Sequence, residues 1–183
     1  MTVHKIIISG FGGQGVMMMG QMIAYAGMLE DKQVTWLPAY GPEMRGGTAN
    51  CSIIISDKPI SSPIISKATA IVAMNYPSLL KFESVAMTSG LLLINASLIQ
   101  GKTTRTDLTT LEIPVNDIAV TLKNDKAANM VMLGALLYCT NVVEPVSLYK
   151  VIEKLFTGDK AAMIPSNQLA IETGINFARQ KGI

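Results

Sequence analysis

The chain has 183 residues, 49% of them apolar and only 15% charged, with a net charge of +2. Residues 1 to 183 are therefore read as one domain long enough to bury a real core. No basic cluster points to nucleic acid, and no uninterrupted apolar run reaches the roughly 20 residues of a membrane span. No leader-like segment precedes the first strand, so the chain is expected to be cytoplasmic with reduced thiols. Its two cysteines, Cys51 and Cys139, stand far apart and form no C-x-x-C. Neither a zinc site nor an iron–sulfur cluster can be built from this chain alone. The sole histidine, His4, is read as a strand-end residue without a chemical role. So few groups make a self-sufficient acid–base or nucleophilic enzyme hard to assemble. Low charge implies instead a surface that packs against partners; the 12 methionines suit such a surface, though most of them are read as core filling.

In chain order, residues 3 to 9 are continuous in valine and isoleucine and predict a buried strand. "GFGGQG" (10 to 15) is a tight turn. From Val16 to about Glu30 the spacing of Val16, Met19, Ile23 and Ala26 predicts a helix. Val34 to Leu37 is a short strand stopped by Pro38, residues 40 to 49 are a Gly- and Pro-rich loop, and Cys51 to Ile55 is a third strand. Residues 56 to 63 form a turn or short hairpin, followed by a strand over Ala70 to Met74. Pro77 suits the first turn of a helix beginning at Tyr76. Residues 90 to 97 and Leu111 to Pro114 are further strands. Helical patterns cover about 126 to 140, 145 to 156 and 165 to 180. This alternation predicts a three-layer α/β fold: an open, mostly parallel sheet with helices on both faces and a Rossmann-like glycine turn. The region near 50 to 65 can make the sheet mixed. Ligands of such sheets bind at the carboxyl ends of the strands, where the 10 to 15 turn and the 40 to 48 loop are expected.

Gly10, Gly12 and Gly15 match the dinucleotide fingerprint G-x-G-x-x-G in the right strand–turn–helix context. The second strand, however, ends Trp36-Leu37-Pro38-Ala39, without the carboxylate that holds an adenosine ribose or an arginine for its phosphate. Gly13 and Gln14 make the turn more constrained than a dinucleotide requires. The turn is read as an anion or cofactor-tail site, or as glycines that only permit close packing, rather than as the site of a free-standing dehydrogenase. In "AYGPEMRGGTAN" (39 to 50), Pro42, Gly41, Gly46 and Gly47 frame one acid and one base, Glu43 and Arg45. Arginine can clamp phosphate or carboxylate bidentately; the pair can equally brace its own loop or meet another subunit.

"GFGGQGV", "YGPEMRGG" some 30 residues later and "NDKAANMVMLGAL" (124 to 136) together resemble the γ subunit of 2-oxoacid:ferredoxin oxidoreductases, across essentially the whole chain. The resemblance implies a subunit of a hetero-oligomer that decarboxylates a 2-oxoacid oxidatively, 2-oxoglutarate foremost, and passes the acyl group to coenzyme A. It implies α, β and in some cases δ subunits as partners, and ferredoxin as acceptor through the holoenzyme. Thiamine diphosphate, magnesium and iron–sulfur clusters would sit in those partners, with no cofactor held and no catalytic residue supplied by this chain alone. Cofactor-binding residues would be Gly10, Gly12, Gly13, Gln14, Gly15, Glu43, Arg45, Gly46 and Gly47. Asn50 and Asn129 are lesser candidates that can serve as local braces. Deprived of partners, the isolated chain is expected to be inactive and to self-associate. Two alternatives remain at this point: a stand-alone nucleotide-binding oxidoreductase, and a purely structural interaction subunit.

Overall fold

The computed structural model describes residues 3–39 and 49–182. Its centre is one six-stranded sheet of order β2-β3-β1-β4-β5-β6. The strands are β1 (Val3–Gly10), β2 (Gln33–Ala39), β3 (Ala49–Ser56), β4 (Ala68–Ala73), β5 (Ala86–Asn95) and β6 (Thr109–Ile113). β1, β4, β5 and β6 run parallel, while β3 is antiparallel to both β1 and β2. The sheet is thus mixed because of one reversed strand. The reversal comes from the β2–β3 pair rather than from a hairpin over 56 to 63: Ser56 ends β3, and residues 57–63 hold bends and irregular backbone without a strand.

Apolar residues alternate between two faces along each parallel strand, as the two-residue period of a strand requires. Ile6, Ile8, Ala70, Val72, Leu91 and Leu93 point to one core, and Ile7, Ile71, Ala73, Leu92 and Ile94 to the other. Burial on both faces explains why these strands read as continuous apolar runs. The first core is covered by α1 (Val16–Leu29), α3 (Val115–Thr121), α4 (Ala128–Thr140), α5 (Pro145–Leu155) and α6 (Ile164–Lys181). The second is covered by α2 (Tyr76–Phe82) and the segments around it. Asn75 caps α2 by accepting a hydrogen bond from Ser78 N at 2.9 Å, and Pro77 occupies its first turn.

Besides shifts of one to four residues at several strand ends, two differences from the sequence expectation stand out. β2 continues through Pro38 to Ala39, because it is the outermost strand and an edge strand tolerates a residue without an N–H. α3 was not anticipated; its seven residues follow β6 almost directly.

α4 and α6 cross at backbone contact. A β-carbon on Gly134 would meet the Ile171 carbonyl, and one on Gly174 would meet the Val131 carbonyl. The obstacles are main-chain atoms, so no side-chain rotation can make room. Gly134→Ala and Gly174→Ala should each destabilise the chain by about 3 kcal/mol, lowering the melting temperature by roughly 10 °C in a thermal-unfolding scan.

Candidate functional site

β1, β4, β5 and β6 all end on the same side of the sheet, at Gly10, Ala73, Asn95 and Ile113. The strand order diverges between β1 and β4: the chain leaves β1 toward β2 on one side, and β4 leads to β5 on the other. In open α/β sheets this switch point is where ligands bind. The glycine turn lies there, as expected. Gly13 and Gly15 have φ of 89° and 73°, left-handed values that favour glycine.

The turn is held by Gln14. Its Oε1 accepts from Phe11 N at 2.6 Å and from Asn75 Nδ2 at 3.3 Å, while its Nε2 donates to the Met74 carbonyl at 3.1 Å. The side chain therefore folds back over the end of β1 and ties the turn to the end of β4. Gly10 makes room for it, since a β-carbon there would lie 2.6 Å from Gln14 Oε1 and 2.8 Å from Met74 Cβ. Met74 O also accepts from Asn95 Nδ2 at 3.2 Å, and Asn95 Nδ2 donates to Asn116 Oδ1 at 2.9 Å. A ladder of neutral amides thus runs along the carboxyl edge from the glycine turn to the start of α3. Sequence reasoning passed over Asn75, Asn95 and Asn116, because asparagine after a strand reads as turn chemistry.

α1 starts directly after the turn with Gly15 as its N-cap. Among the described residues no side chain caps it, and its first turn carries no acidic residue. Such an end presents N–H groups and a positive dipole to an anion. Beside it opens a cleft of about 430 Å³ whose polar lining comes from the turn, Gly13 to Gly15, and from Asp125, Lys126, Asn129 and Asn167. Four methionines, Met18, Met74, Met130 and Met163, with Phe156, make most of the remaining lining apolar. A second opening of about 350 Å³ shares Gly13 and Gly15 and extends to Ala49. The turn is the ridge between the two.

Of the other predicted site residues, Gly12 is exposed at the turn, and Glu43, Arg45, Gly46 and Gly47 lie outside the described residues. Ala49, which follows that segment, pairs with Gly10. Asn50 sits in β3 opposite Ser9 and Ala39. Asn129 packs directly on Gly15, close enough that a β-carbon on the glycine would collide with its amide. His4 lies at the opposite end of β1, with its imidazole held below the usual value by burial first and by Lys32 next, partly offset by Asp57. Burial pushes the Cys51 thiol up to about 12 and the Cys139 thiol up to about 11, so both are neutral at physiological pH and poor nucleophiles.

Removing the Gln14 amide should loosen the turn from β4. Gln14→Ala loses three hydrogen bonds, part of them water-accessible, and should cost about 2 kcal/mol in chemical denaturation. Gln14→Glu keeps the acceptor but sets a carboxylate against the Met74 carbonyl, so it too should destabilise, and more at pH 8 than at pH 4.

Comparison with known proteins places this fold. The sequence pattern of the pyruvate ferredoxin/flavodoxin oxidoreductase family matches residues 5–177. A ketoisovalerate oxidoreductase subunit VorA from Methanothermobacter thermautotrophicus is 36% identical over 180 residues, covering 96% of this chain. The chain spans only 36% of that longer relative. A 2-oxoglutarate synthase subunit KorC from Methanocaldococcus jannaschii is also 36% identical over 180 residues, covering 96% of this chain and 94% of its own length. The crystal structure of a keto/oxoacid ferredoxin oxidoreductase γ subunit from Geobacter sulfurreducens superposes with a TM-score of 0.84 at 26% identity, covering 97% of this chain and 99% of that one. With its carboxyl-edge glycine turn and a match running nearly end to end, the chain belongs to the pyruvate ferredoxin/flavodoxin oxidoreductase family.

Proposed function

We propose that this chain is the γ component of a 2-oxoacid:ferredoxin oxidoreductase, with 2-oxoglutarate as the substrate. The observation that carries the reading is the nearly end-to-end correspondence with a 2-oxoglutarate synthase subunit of about the same length. In the assembled enzyme a 2-oxoacid loses carbon dioxide, its acyl group passes to the thiol of coenzyme A, and the electrons leave to ferredoxin. Thiamine diphosphate with its magnesium ion supplies the carbanion chemistry and iron–sulfur clusters the electron path, both carried by α, β and, where present, δ subunits.

The share of this chain is to bind and to shape. The uncapped start of α1 and the backbone of Gly12 to Gly15 suit a phosphate of coenzyme A. Gln14 fixes the shape of that turn, since both ends of its amide are engaged within the chain. Neutral thiols and a cleft walled by amides and thioethers fit a binding role better than a nucleophilic one. The stand-alone nucleotide enzyme fits less well, because β2 ends in Leu37-Pro38-Ala39 with no carboxylate for a ribose.

Arg45, with Glu43 to orient it, is assigned the second anionic contact, on coenzyme A or the substrate. In holoenzyme reconstituted with its partner subunits, Arg45→Ala should raise the KM for coenzyme A on the order of tenfold or more, the effect of a lost charge-assisted hydrogen bond. Arg45→Lys keeps the charge without the planar fork and should fall between. Decarboxylation with an artificial electron acceptor should change less. Unaltered kinetics from a fully assembled Arg45→Ala enzyme would contradict the assignment.

A further inference from the structure

β2 is the outermost strand of the sheet, and among the described residues no strand pairs with its outer side. Pro38 fixes which of its backbone groups look outward. A proline is accepted inside an edge strand where its nitrogen faces away from the neighbouring strand, so Pro38 turns its nitrogen away from β3. Backbone groups alternate in direction along an antiparallel strand, so Val34 and Trp36 turn their N–H and C=O outward as well. Lys32 N already donates to the Gly27 carbonyl at 3.1 Å, and Pro38 has no N–H. The free donors of this edge are therefore those of Val34 and Trp36, placed symmetrically about Thr35. An edge of that pattern is complementary to an antiparallel copy of itself.

The strand face that carries Val34 and Trp36 lies under α1. A β-carbon on Gly20 would stand 2.9 Å from Trp36 Nε1, and one on Gly27 would stand 3.0 Å from Val34 Cγ2. A surface helix ordinarily turns a charged face to water. α1 carries no charged residue from Val16 to Leu29, yet Tyr25 is 43% and Met28 59% exposed. These two side chains form a ridge between two grooves. One, of about 190 Å³, lies toward β2 and is lined also by Gln21, Ala24, Val34 and Trp36; the other, of about 370 Å³, lies toward α5.

We infer that two copies of this chain pair through β2 about a two-fold axis at Thr35, joining their six-stranded sheets edge to edge. Val34 of one copy then exchanges two backbone hydrogen bonds with Trp36 of the second copy, and the symmetry repeats the exchange. The same register sets an aromatic side chain across from a β-branched one, a favourable cross-strand pair. It also brings the two α1 ridges to the same side of the joined sheet. Tyr25, Met28, Trp36, Leu37 and the strand edge leave roughly 500 Å² open per copy, so pairing covers about 1,000 Å² in total, the size that a specific interface needs. None of these residues lines the cleft beside the glycine turn, so the pairing does not depend on what that cleft binds.

The test uses the full chain without other subunits. Trp36 is its sole tryptophan, so indole emission reports on this edge alone. Across a concentration series, sedimentation should show a species of twice the monomer mass, and the emission should move to shorter wavelength as that species forms. The amides of Val34 and Trp36 should exchange hydrogen about tenfold or more slower in the dimer than in the dilute monomer. Those of Thr35 and Leu37, turned toward β3, should exchange alike in both. Val34→Pro removes two of the four bonds and leaves the inner side of the strand intact, so it should fold and raise the dimer dissociation constant on the order of thirtyfold. Tyr25→Glu, a surface change on the ridge, should raise it about tenfold, and it decides if Val34→Pro fails to fold. A strict monomer at the highest concentration overturns the inference. So does a dimer in which the Val34 and Trp36 amides exchange as fast as in the monomer, or one that Tyr25→Glu leaves as tight as wild type. Protection of those amides only after α and β subunits are added overturns it too, and assigns the edge to one of them.

Discussion

Everything at the carboxyl edge depends on where the Gln14 amide goes. With one oxygen it satisfies Phe11 N and Asn75 Nδ2, and with its nitrogen it reaches the Met74 carbonyl. A glycine-rich turn has the most conformational entropy to lose on folding, and these bonds from one side chain hold it against that loss. The arrangement requires a hydrogen in place of a side chain at Gly10 and a left-handed backbone at Gly15. The same Met74 carbonyl receives Asn95, so the turn, β4 and β5 share an acceptor and cannot move independently. α1 is thereby launched at a fixed angle with its N–H groups open.

That rigidity separates the chain from a dinucleotide enzyme with the same glycine spacing. A Rossmann site uses its turn to approach a pyrophosphate and a distant carboxylate to hold the ribose. Here the second strand is an uncharged edge strand ending in Pro38 and Ala39, and the polar groups lie on the other side, in the Asn75–Asn95–Asn116 ladder and on α4 and α6. The cleft beside the turn is lined mainly by amide and apolar side chains, with Asp125 and Lys126 as its charged members.

Much of this was legible in the sequence because burial on both faces leaves an unmistakable trace: Ile6-Ile7-Ile8, Ile53-Ile54-Ile55 and Leu91-Leu92-Leu93 can hardly be anything but central strands. Helices on both faces followed from the same alternation. The direction of β3 was not legible, since apolar runs carry no polarity and the pairing of β2 with β3 is a long-range fact. Pro38 misled because the rule that proline stops a strand relaxes at an edge. α3 was hidden by its brevity and polar content, and the amide ladder by the habit of asparagine in turns. Asn167 did leave a signal: Asn167, Ala170, Ile171 and Gly174 fall at helical spacing on a buried face, where an asparagine needs a reason. The fold and the place of the site were therefore readable, whereas the cleft wall required the packing of α4 against α6.

The central claim is that this chain contributes a binding surface to an enzyme whose chemistry lies in other subunits. The most direct measurement is co-expression with the α and β subunits, followed by purification on a tag carried by this chain and assay with 2-oxoglutarate, coenzyme A and ferredoxin. The account predicts a stoichiometric complex containing thiamine diphosphate and iron, and succinyl-CoA formation that collapses when this chain is left out. A chain that purifies alone, or partner subunits that form succinyl-CoA equally fast without it, would contradict the account.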